Sequence, residues 1–356
     1  MKKTGFYLGL ALLSFIVFIG CSDNDSDSDY GTTDNTYKEI LTNEAAVITA
    51  TYVDLAEKAK VLKDKVYALE KGNDAALQAA KEAWVVARAP WELSEAFLWG
   101  PVDFEGVDPA IDSWPVNVAE IDAIFASGKP ITPEVLEAND ETRGFHTLEY
   151  YLWGVNGNKK ASELTDREIE YLKAVAQDLY EKTTYLADKW SPSGGNYSSV
   201  LINAGQNDVY KSPEAALTEL VEGMITIADE VASQKIETPL NGNNGSAKPD
   251  EEESRFSKNS ILDFSDNIRS IQNIYLGKYK TAQGKGLTDI VAPQNPLLDA
   301  QIKAKITESI NALEAIPVSF TDAIFNNRSK VENAQNKILE LQDILENQLK
   351  KHISNL

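Results

Sequence analysis

The sequence predicts an all-α protein built from two helical-bundle domains. Apolar residues recur every three or four positions through most of the chain after residue 37, which is the period of amphipathic helices. No stretch sustains the two-residue alternation of a half-buried strand, so we expect no β-sheet. The run W-S-P-S-G-G-N at 190–196 interrupts the helical pattern most clearly. We therefore predict one bundle over 37–190 and a second over 191–356.

The first twenty residues have the pattern of a secretory signal. Lys2 and Lys3 precede an apolar run at 8–19 that is too short to span a bilayer comfortably. Cys21 follows a small residue, an arrangement that resembles the lipobox of bacterial lipoproteins, in which the cysteine is lipidated and becomes the new N-terminus. We therefore expect a lipoprotein anchored at Cys21 to the outer membrane or cell surface. The alternative is an ordinary signal peptide followed by a coincidental cysteine.

Residues 21–36 predict an acidic, disordered tether, because they contain no aliphatic residue and many aspartates. Cys21 is the only cysteine, so no disulfide can form within the chain. The formal net charge is −21, and a field of this sign repels nucleic acid and anionic membrane while it attracts cations. Nucleic acid is therefore excluded as an expected partner.

The first bundle contains five predicted helices. A capping box of Thr165 and Glu168 supports the start of the longest one after the initial helix, and Pro90 is expected to kink or break the second. Several prolines between 100 and 115 indicate a long loop. The predicted helices cover residues 37–69, 75–99, 116–125, 141–153 and 165–189.

The second bundle follows the same pattern after the break. A polar loop is predicted at 239–253, where glycine, asparagine and acidic residues cluster. The two halves share a weakly similar pair of motifs. Glu141-x-Arg143 precedes Y-L-W-G in the first half, and Glu253-x-Arg255 precedes Y-L-G in the second. The spacing differs, so a distant internal duplication is only suggested. The predicted helices cover residues 213–234, 261–276, 296–313, 320–325 and 329–349.

The stretch R-G-F-H-T-L-E-Y-Y-L-W-G at 143–154 is the strongest candidate for a functional site. It holds His146, one of two histidines in the chain. Glu149 is the third residue after His146, so both side chains share one face of a helix and can converge on a single cation. Alternatively, Glu149 holds the His146 ring by a hydrogen bond. In the third alternative, His146 and Glu149 form a buried hydrogen-bonded pair that only stabilises the core.

The order G-x-H-x-x-E, here Gly144 to Glu149, resembles the signature of the imelysin family. Three more stretches are similar to blocks of that family and occur in its order: A-W-V-V-A-R-A-P-W-E-L-S-E-A-F-L-W-G-P at 83–101, D-S-W-P at 112–115, and F-S-K-N-S-I-L-D-F-S-D-N-I-R-S-I-Q-N-I-Y-L-G at 256–277. The resemblance spans residues 40 to 350. It implies two helical domains with the motif near their junction, a surface or periplasmic location, and a role in iron uptake.

The family also carries a metallopeptidase label, which the residues support poorly. A zinc peptidase of the H-E-x-x-H type needs two histidines on one helix, and this chain has no such motif. It also lacks G-x-S-x-G and a free interior cysteine. We therefore favour binding of iron or an iron-bearing ligand. A metallopeptidase that uses His146 and Glu149 is the runner-up, and a non-catalytic adaptor for the outer-membrane transport machinery is the third alternative.

Carboxylates must supply the remaining ligands of a metal held by His146 and Glu149. A site rich in oxygen with one imidazole suits iron, with calcium or zinc as alternatives. We expect Glu92 and Glu95, which lie within the first similar block, to complete the metal site. The alternative is that the two glutamates are a solvent-exposed pair that binds nothing. Residues predicted to contact the ligand are Arg88, Asp263, Asp266, Asn267 and, more weakly, Ser257.

Overall fold

The computed structural model describes residues 27–242 and 244–356, with side chains from residue 35 onward. The predicted signal peptide at 1–20 and the lipidation site Cys21 lie outside the described residues. Helix α1 begins at Asp27, inside the range 21–36 for which the sequence predicts a tether. The all-α fold class is confirmed: the described chain is helical over most of its length.

The first half of the chain is a set of helices joined by short turns. Turns of 3-10 helix at Glu95–Phe97, Asp140–Thr142 and Ala161–Glu163 lie among the connections. Short helices occupy part of the predicted loop at 100–115. The α-helices are α1 (Asp27–Tyr67), α2 (Asp74–Glu92), α3 (Pro101–Phe104), α4 (Val107–Asp112), α5 (Val118–Ser127), α6 (Pro133–Leu136), α7 (Gly144–Trp153), α8 (Asp166–Trp190) and α9 (Ser198–Ile202).

The second half of the described chain contains eight α-helices, two of which are extended by π-helical turns. The turn Val231–Ile236 joins α10 to α11, and Leu345–Leu349 joins α16 to α17. A 3-10 turn at Pro249–Glu251 precedes α12. The α-helices are α10 (Pro213–Glu230), α11 (Glu237–Asn241), α12 (Ser260–Leu276), α13 (Thr288–Gln294), α14 (Pro296–Glu314), α15 (Phe320–Asn326), α16 (Arg328–Ile344) and α17 (Lys350–Ser354).

A small hairpin corrects the expectation that the chain forms no β-structure. Strands β1 (Lys278–Tyr279) and β2 (Ala282–Gln283) pair in antiparallel fashion directly after α12. Strands of two residues are too short to show an alternating pattern, so the sequence gives no sign of them.

Two helix sets share one continuous apolar core. In the first set α1 packs along α2 and α8, and α7 packs on α2 and α8. In the second, α12 packs on α14 and α10, and α16 packs on α14 and α10. Contacts of α1 with α10 and of α2 with α12 join the sets, and their buried apolar residues form one cluster. The domain boundary at 190/191 and the internal duplication stay predictions.

Within residues 27–242 and 244–356, no helix combines the length and the apolar character that a bilayer crossing requires.

The proline in α2 breaks the helix rather than bending it. Pro90 lies in the last turn, α2 ends at Glu92, and the chain then forms the 3-10 turn that begins at Glu95. Glu92 and Glu95 therefore lie on either side of a break and not on one continuous helix. Both side chains are buried, which rules out a solvated pair.

Candidate metal centre

A cluster of charged side chains lies buried at the junction where α2 meets α12. Helices α2, α4, α7 and α12 supply it, together with the π-helical turn after α10 and the segment before α12. Its members are as buried as the apolar core, although most of them can carry a charge. They are Arg88, Glu92, Glu95, Asp112, His146, Glu149, Lys235, Glu253, Asp263 and Asn267.

Gly144 allows the end of α4 to touch the start of α7. Its φ is +80°, and a Cβ at this position would lie 2.2 Å from the carbonyl oxygen of Ile111. Glycine tolerates this conformation and has no side chain to clash. The contact brings Asp112, the last residue of α4, beside His146, which lies two residues after Gly144. The glycine of the motif therefore assembles the site.

The two ring nitrogens of His146 face different groups. Nε2 lies 3.1 Å from Asp112 Oδ1 and 3.7 Å from Glu253 Oε1. Nδ1 lies 3.4 Å from Glu149 Oε2. The Trp114 ring covers the imidazole, with 5.8 Å between ring centroids. The imidazole therefore faces carboxylates at both nitrogens, and its side chain is almost completely buried.

Glu149 orients the imidazole and is itself held in place. Its Oε1 accepts hydrogen bonds from the backbone N–H and the hydroxyl of Ser257, each at 2.7 Å. Its other oxygen faces His146 Nδ1. A carboxylate on one nitrogen of a histidine sets the ring orientation and leaves the other nitrogen free to bind. The contact between Glu149 and Nδ1 is the one expected both where Glu149 orients the ring and where the pair only stabilises the core.

Arg88 is the central cation of the cluster. Its guanidinium forms ion pairs with Asp112 and Glu253, the two carboxylates that face His146 Nε2. It also pairs with Glu92 at 2.5 Å, and its Nε lies 3.8 Å from Asp263. A planar guanidinium with several donors suits such a set of carboxylates. Arg88 therefore binds α2 to α4, to α12 and to the segment before α12.

Neutral donors complete the hydrogen bonds of two of these carboxylates. The indole N–H of Trp91 donates to Asp112 Oδ2 at 2.7 Å. The amide of Asn267 donates to Glu92 Oε2 at 2.6 Å. Asp112 and Glu92 are thus fixed on both sides, because each also pairs with Arg88.

Lys235 is a second buried cation beside the first. Its ammonium lies 3.1 Å from Glu253 Oε2 and 3.7 Å from both Glu95 Oε1 and Glu230 Oε1. It also lies 5.4 Å from the centre of the Trp114 ring. The side chain is fully buried and belongs to a π-helical turn, a form that often marks functional sites.

The pKa values of the cluster show how burial and charge compete. Burial raises the pKa of Glu92 and Glu95 well above the usual range and outweighs the nearby cations. Burial also opposes ionisation of Glu253, but Lys235, His146 and Arg88 together lower its pKa to about 2. Asp112 follows the same pattern: Arg88 and His146 overcome burial and hold its pKa below the usual range.

The neighbouring carboxylates favour the protonated form of His146. Burial and the positive charge of Arg88 lower its pKa, but the nearby carboxylates of Asp112, Glu149 and Glu253 outweigh them and raise the pKa well above the usual value. The cluster therefore contains two permanent cations, Arg88 and Lys235, and a third where His146 carries its proton. A metal ion could bind His146 only in exchange for the proton on Nε2.

Comparison with known proteins places the chain in a family. The family model described as imelysin, peptidase M75, matches residues 48–352. The chain belongs to the imelysin family. It shares 32% identity over 310 residues with iron-regulated protein A of Synechococcus elongatus, covering 85% of this chain and 83% of that protein.

Two solved structures share the imelysin fold of this chain. A crystal structure of an iron-regulated protein A precursor from Parabacteroides distasonis superposes with a TM-score of 0.80 at 27% identity, over 90% of this chain and 95% of that one. A crystal structure of an imelysin-like protein from Psychrobacter arcticum superposes with a TM-score of 0.72 at 16% identity, over 90% of this chain and 96% of that one. The second likeness supports the fold alone.

The residues of this imelysin can accommodate a metal ion. Asp112, His146 and Glu253 each offer one ligand atom, and these three atoms lie within 4.8 Å of one another. His146 Nε2 has no hydrogen bond of good geometry despite its burial. One imidazole nitrogen and two carboxylate oxygens suit iron or manganese better than zinc. The same two carboxylates bind Arg88, so a metal ion must compete with the guanidinium.

The structure brings most of the predicted site residues together. Glu92, Arg88, Asp263, Asn267 and Ser257 all join the cluster around His146 and Glu149, as described above. Glu95 lies at its edge and faces Lys235 rather than His146. Among the described residues, Asp266 has no hydrogen bond or ion pair with the cluster: it accepts a hydrogen bond from Arg269 at 2.8 Å.

Three members of the cluster were not predicted from the sequence. Asp112 and Glu253 lie in stretches that do stand out, D-S-W-P and Glu253-x-Arg255, yet nothing in either assigns a role to its acid. Lys235 has no sequence signal, because a lysine near the end of an amphipathic helix is ordinarily exposed.

The cluster has access to solvent beside the motif. A cavity of about 90 Å³ is lined by His146, Glu149, Trp114, Tyr150 and Phe256, among others. Tyr150 also lines a more open groove of about 560 Å³ along α7. A small ion can therefore approach His146 and Glu149 from this side.

Proposed function

We propose that this protein binds iron, or an iron-bearing ligand, outside the cytoplasm as part of iron uptake, and that Asp112, His146 and Glu253 bind the metal. One observation carries the proposal. His146 Nε2 is buried without a hydrogen bond, 3.1 Å from Asp112 Oδ1 and 3.7 Å from Glu253 Oε1. Membership of the imelysin family and the name of the cyanobacterial relative support iron as the metal.

Each further residue has a defined part in this proposal. Glu149 and Ser257 hold the ring so that Nε2 points at the two carboxylates. Arg88 and Lys235 compensate the carboxylates when no metal is bound, and so they compete with it. Binding is therefore reversible and sensitive to pH, because both a proton and two tethered cations oppose it. Such behaviour suits a protein that takes up and passes on a metal.

Location and partner complete the proposal. A lipid anchor at Cys21 would hold the protein at the outer membrane or cell surface, where it could pass iron to the transport machinery of that membrane. The negative net charge of the chain would concentrate cations near it.

Thermal unfolding in the presence of metal ions tests the proposed site. We compare the wild type with His146→Ala, with and without ferrous iron under anaerobic conditions, ferric iron, calcium and zinc. We expect iron to raise the wild-type midpoint in proportion to the logarithm of its concentration, and to leave the variant unchanged. The other histidine provides the matched control, since His352→Ala should respond as the wild type does.

Two outcomes would contradict the site. One is a wild type that no metal stabilises. The other is a His146→Ala variant that iron stabilises as strongly as the wild type. In the first case the cluster is an ion-pair network that only joins the helix sets.

A further inference from the structure

The groove along α7 borders the small cavity beside His146, and the proposed metal site does not use it. Its volume is about 560 Å³, against about 90 Å³ for the cavity. Val118 and Tyr150 line both spaces, so the groove lies on the route by which the cavity is reached. Sites for organic ligands have volumes of roughly 300–1,000 Å³. The groove can therefore hold an organic molecule, whereas the cavity has room only for an ion with a few waters.

Tyr151 is the feature of this groove that points to a ligand. The residue is only 5% exposed, and it lines the groove. Its ring packs against those of Tyr150 and Phe125, with 5.0 and 5.7 Å between ring centroids. Its hydroxyl forms no hydrogen bond with any residue in the described part of the chain. Three aromatic rings and a hydroxyl without a protein partner are thus available to a molecule in the groove.

The charge of the groove selects among organic ligands. Asp122, Glu163 and Glu168 line it, and Lys159 is the only basic residue among its described lining residues. The ammonium of Lys159 pairs with Glu168 at 2.6 Å, so these two charges compensate each other. Asp122 and Glu163 form no ion pair with a described residue, and they leave the groove negative. The groove therefore repels an anionic ligand and favours a neutral or cationic one.

We propose that this groove binds a neutral or cationic iron chelate of the hydroxamate type, an inference that rests on the proposed function and names its iron-bearing ligand. Hydroxamate anions can neutralise a ferric ion completely, whereas citrate and catecholate complexes keep an excess of negative charge. The alkyl chains of the chelate would pack on Phe125, Tyr150 and Tyr151, and its amide oxygens would accept a hydrogen bond from the Tyr151 hydroxyl. Asn156 and Asn158 line the same groove and offer further amide groups. The chelate stays in the groove, because the cavity is too small to admit it.

Isothermal titration calorimetry with ferrioxamine B, a ferric hydroxamate that carries a free ammonium group, tests the groove. Ferric citrate is the anionic probe for comparison. The key variant combines Asp122→Asn with Tyr151→Phe, which removes one charge and one hydroxyl but keeps the aromatic ring. The matched control combines Asp208→Asn with Tyr180→Phe, which makes the same changes at residues that do not line the groove. Circular dichroism confirms that each variant is folded.

We expect the groove variant to lose at least about tenfold in affinity for ferrioxamine B, while the control binds it as the wild type does. Ferric citrate should bind the wild type at least about tenfold more weakly than ferrioxamine B, because the groove repels its charge. His146→Ala should keep the full affinity for ferrioxamine B, because the chelate does not enter the cavity.

Four results would overturn the inference. They are a wild type that does not bind ferrioxamine B, equal binding by the groove variant and the control, ferric citrate that binds as tightly as ferrioxamine B, and loss of ferrioxamine B binding in His146→Ala. Each of these leaves the proposed metal site intact if iron still stabilises the protein through His146. Conversely, ferrioxamine B binding that is lost only in the groove variant supports the groove even if iron proves not to bind His146.

Discussion

Gly144 and His146 act together although only one of them can bind a ligand. The glycine brings the carbonyl of Ile111 to a distance that no Cβ would permit, and this contact places Asp112 against the imidazole. Each residue of the G-x-H-x-x-E order therefore has a structural reason. The glycine lets α4 approach closely, the histidine supplies a nitrogen, and the glutamate orients the imidazole ring. Ser257 then fixes that carboxylate from the opposite helix set.

Substitution of Gly144 should be costly for two separate reasons. In Gly144→Ala the new Cβ would clash with Ile111, and the backbone would remain at positive φ. We expect a loss of roughly 2–6 kcal/mol in the free energy of unfolding, measured by urea denaturation. Gly72→Ala is the control, since Gly72 has φ +82° but no atom within 4 Å of the added Cβ. It should lose only about 1–2 kcal/mol. Equal losses would show that the contact with α4 is unimportant.

The spacing of His146 and Glu149 predicts their shared position, whereas no spacing in the sequence predicts that Asp112, Lys235 and Glu253 join them. His146 and Glu149 share a helical face, and that geometry is readable from their spacing. Glu253 stands in an E-E-E run, a composition that predicts a solvated loop. Only the tertiary fold shows that this glutamate turns inward to meet Arg88 and Lys235.

At the scale of elements, α2 carries the charged contacts between the two sets. Arg88 connects it to α4 through Asp112, to α12 through Asp263, and to the segment before α12 through Glu253. The break at Pro90 allows the chain to turn directly after these contacts. Periodicity predicted most of the long helices near their observed limits. It could not predict α3 and α4, which are too short to show a period, or the π-helical turn that carries Lys235.

Removal of the Arg88 charge should destabilise the protein in a pH-dependent way. Arg88→Met leaves several buried carboxylates without their partner, and we expect a loss of about 3–5 kcal/mol at pH 7. The lowered pKa of Glu253 and Asp112 stabilises the fold above their ordinary pKa values, and this stability is lost as pH falls through the folded values. For Glu253 that window runs from 4.5 down to about 2.

The difference between wild type and Arg88→Met should therefore shrink as pH falls through this window, because protonated carboxyls need no guanidinium. Urea denaturation at a series of pH values measures it. Arg269→Met is the control: its own side chain and that of its partner Glu314 are partly exposed, so its loss should be clearly smaller than that of Arg88→Met. A difference for Arg88→Met that is independent of pH would show that packing, not charge, explains its effect.

At the scale of the whole molecule, one core and one charged junction hold the helix sets together. The family model covers residues 48–352, so both sets belong to one evolutionary unit. All-α character and the family could be predicted from periodicity and from the four similar blocks. The continuity of the core across 190–196 could not, because a break in the sequence pattern does not reveal which helices pack across it.

The prediction of membrane attachment is tested on the precursor that still carries the predicted signal peptide. Lipidation requires the thiol of Cys21, the only cysteine of the chain. We expect Cys21→Ala to remain unprocessed or to leave the outer-membrane fraction, as followed by cell fractionation and immunoblotting. Ser22→Ala is the control and should stay membrane-bound. Normal membrane retention of Cys21→Ala would contradict a lipid anchor.

The most direct test of the central claim is an anomalous difference map recorded at the iron absorption edge from crystals grown with ferrous iron. Our account predicts a peak within coordinating distance of His146 Nε2 and of carboxylate oxygens of Asp112 and Glu253, with Arg88 displaced from at least one of them. Crystals of His146→Ala should lack this peak. A map with no peak among these three residues, and Arg88 still bridging both carboxylates, would contradict the account.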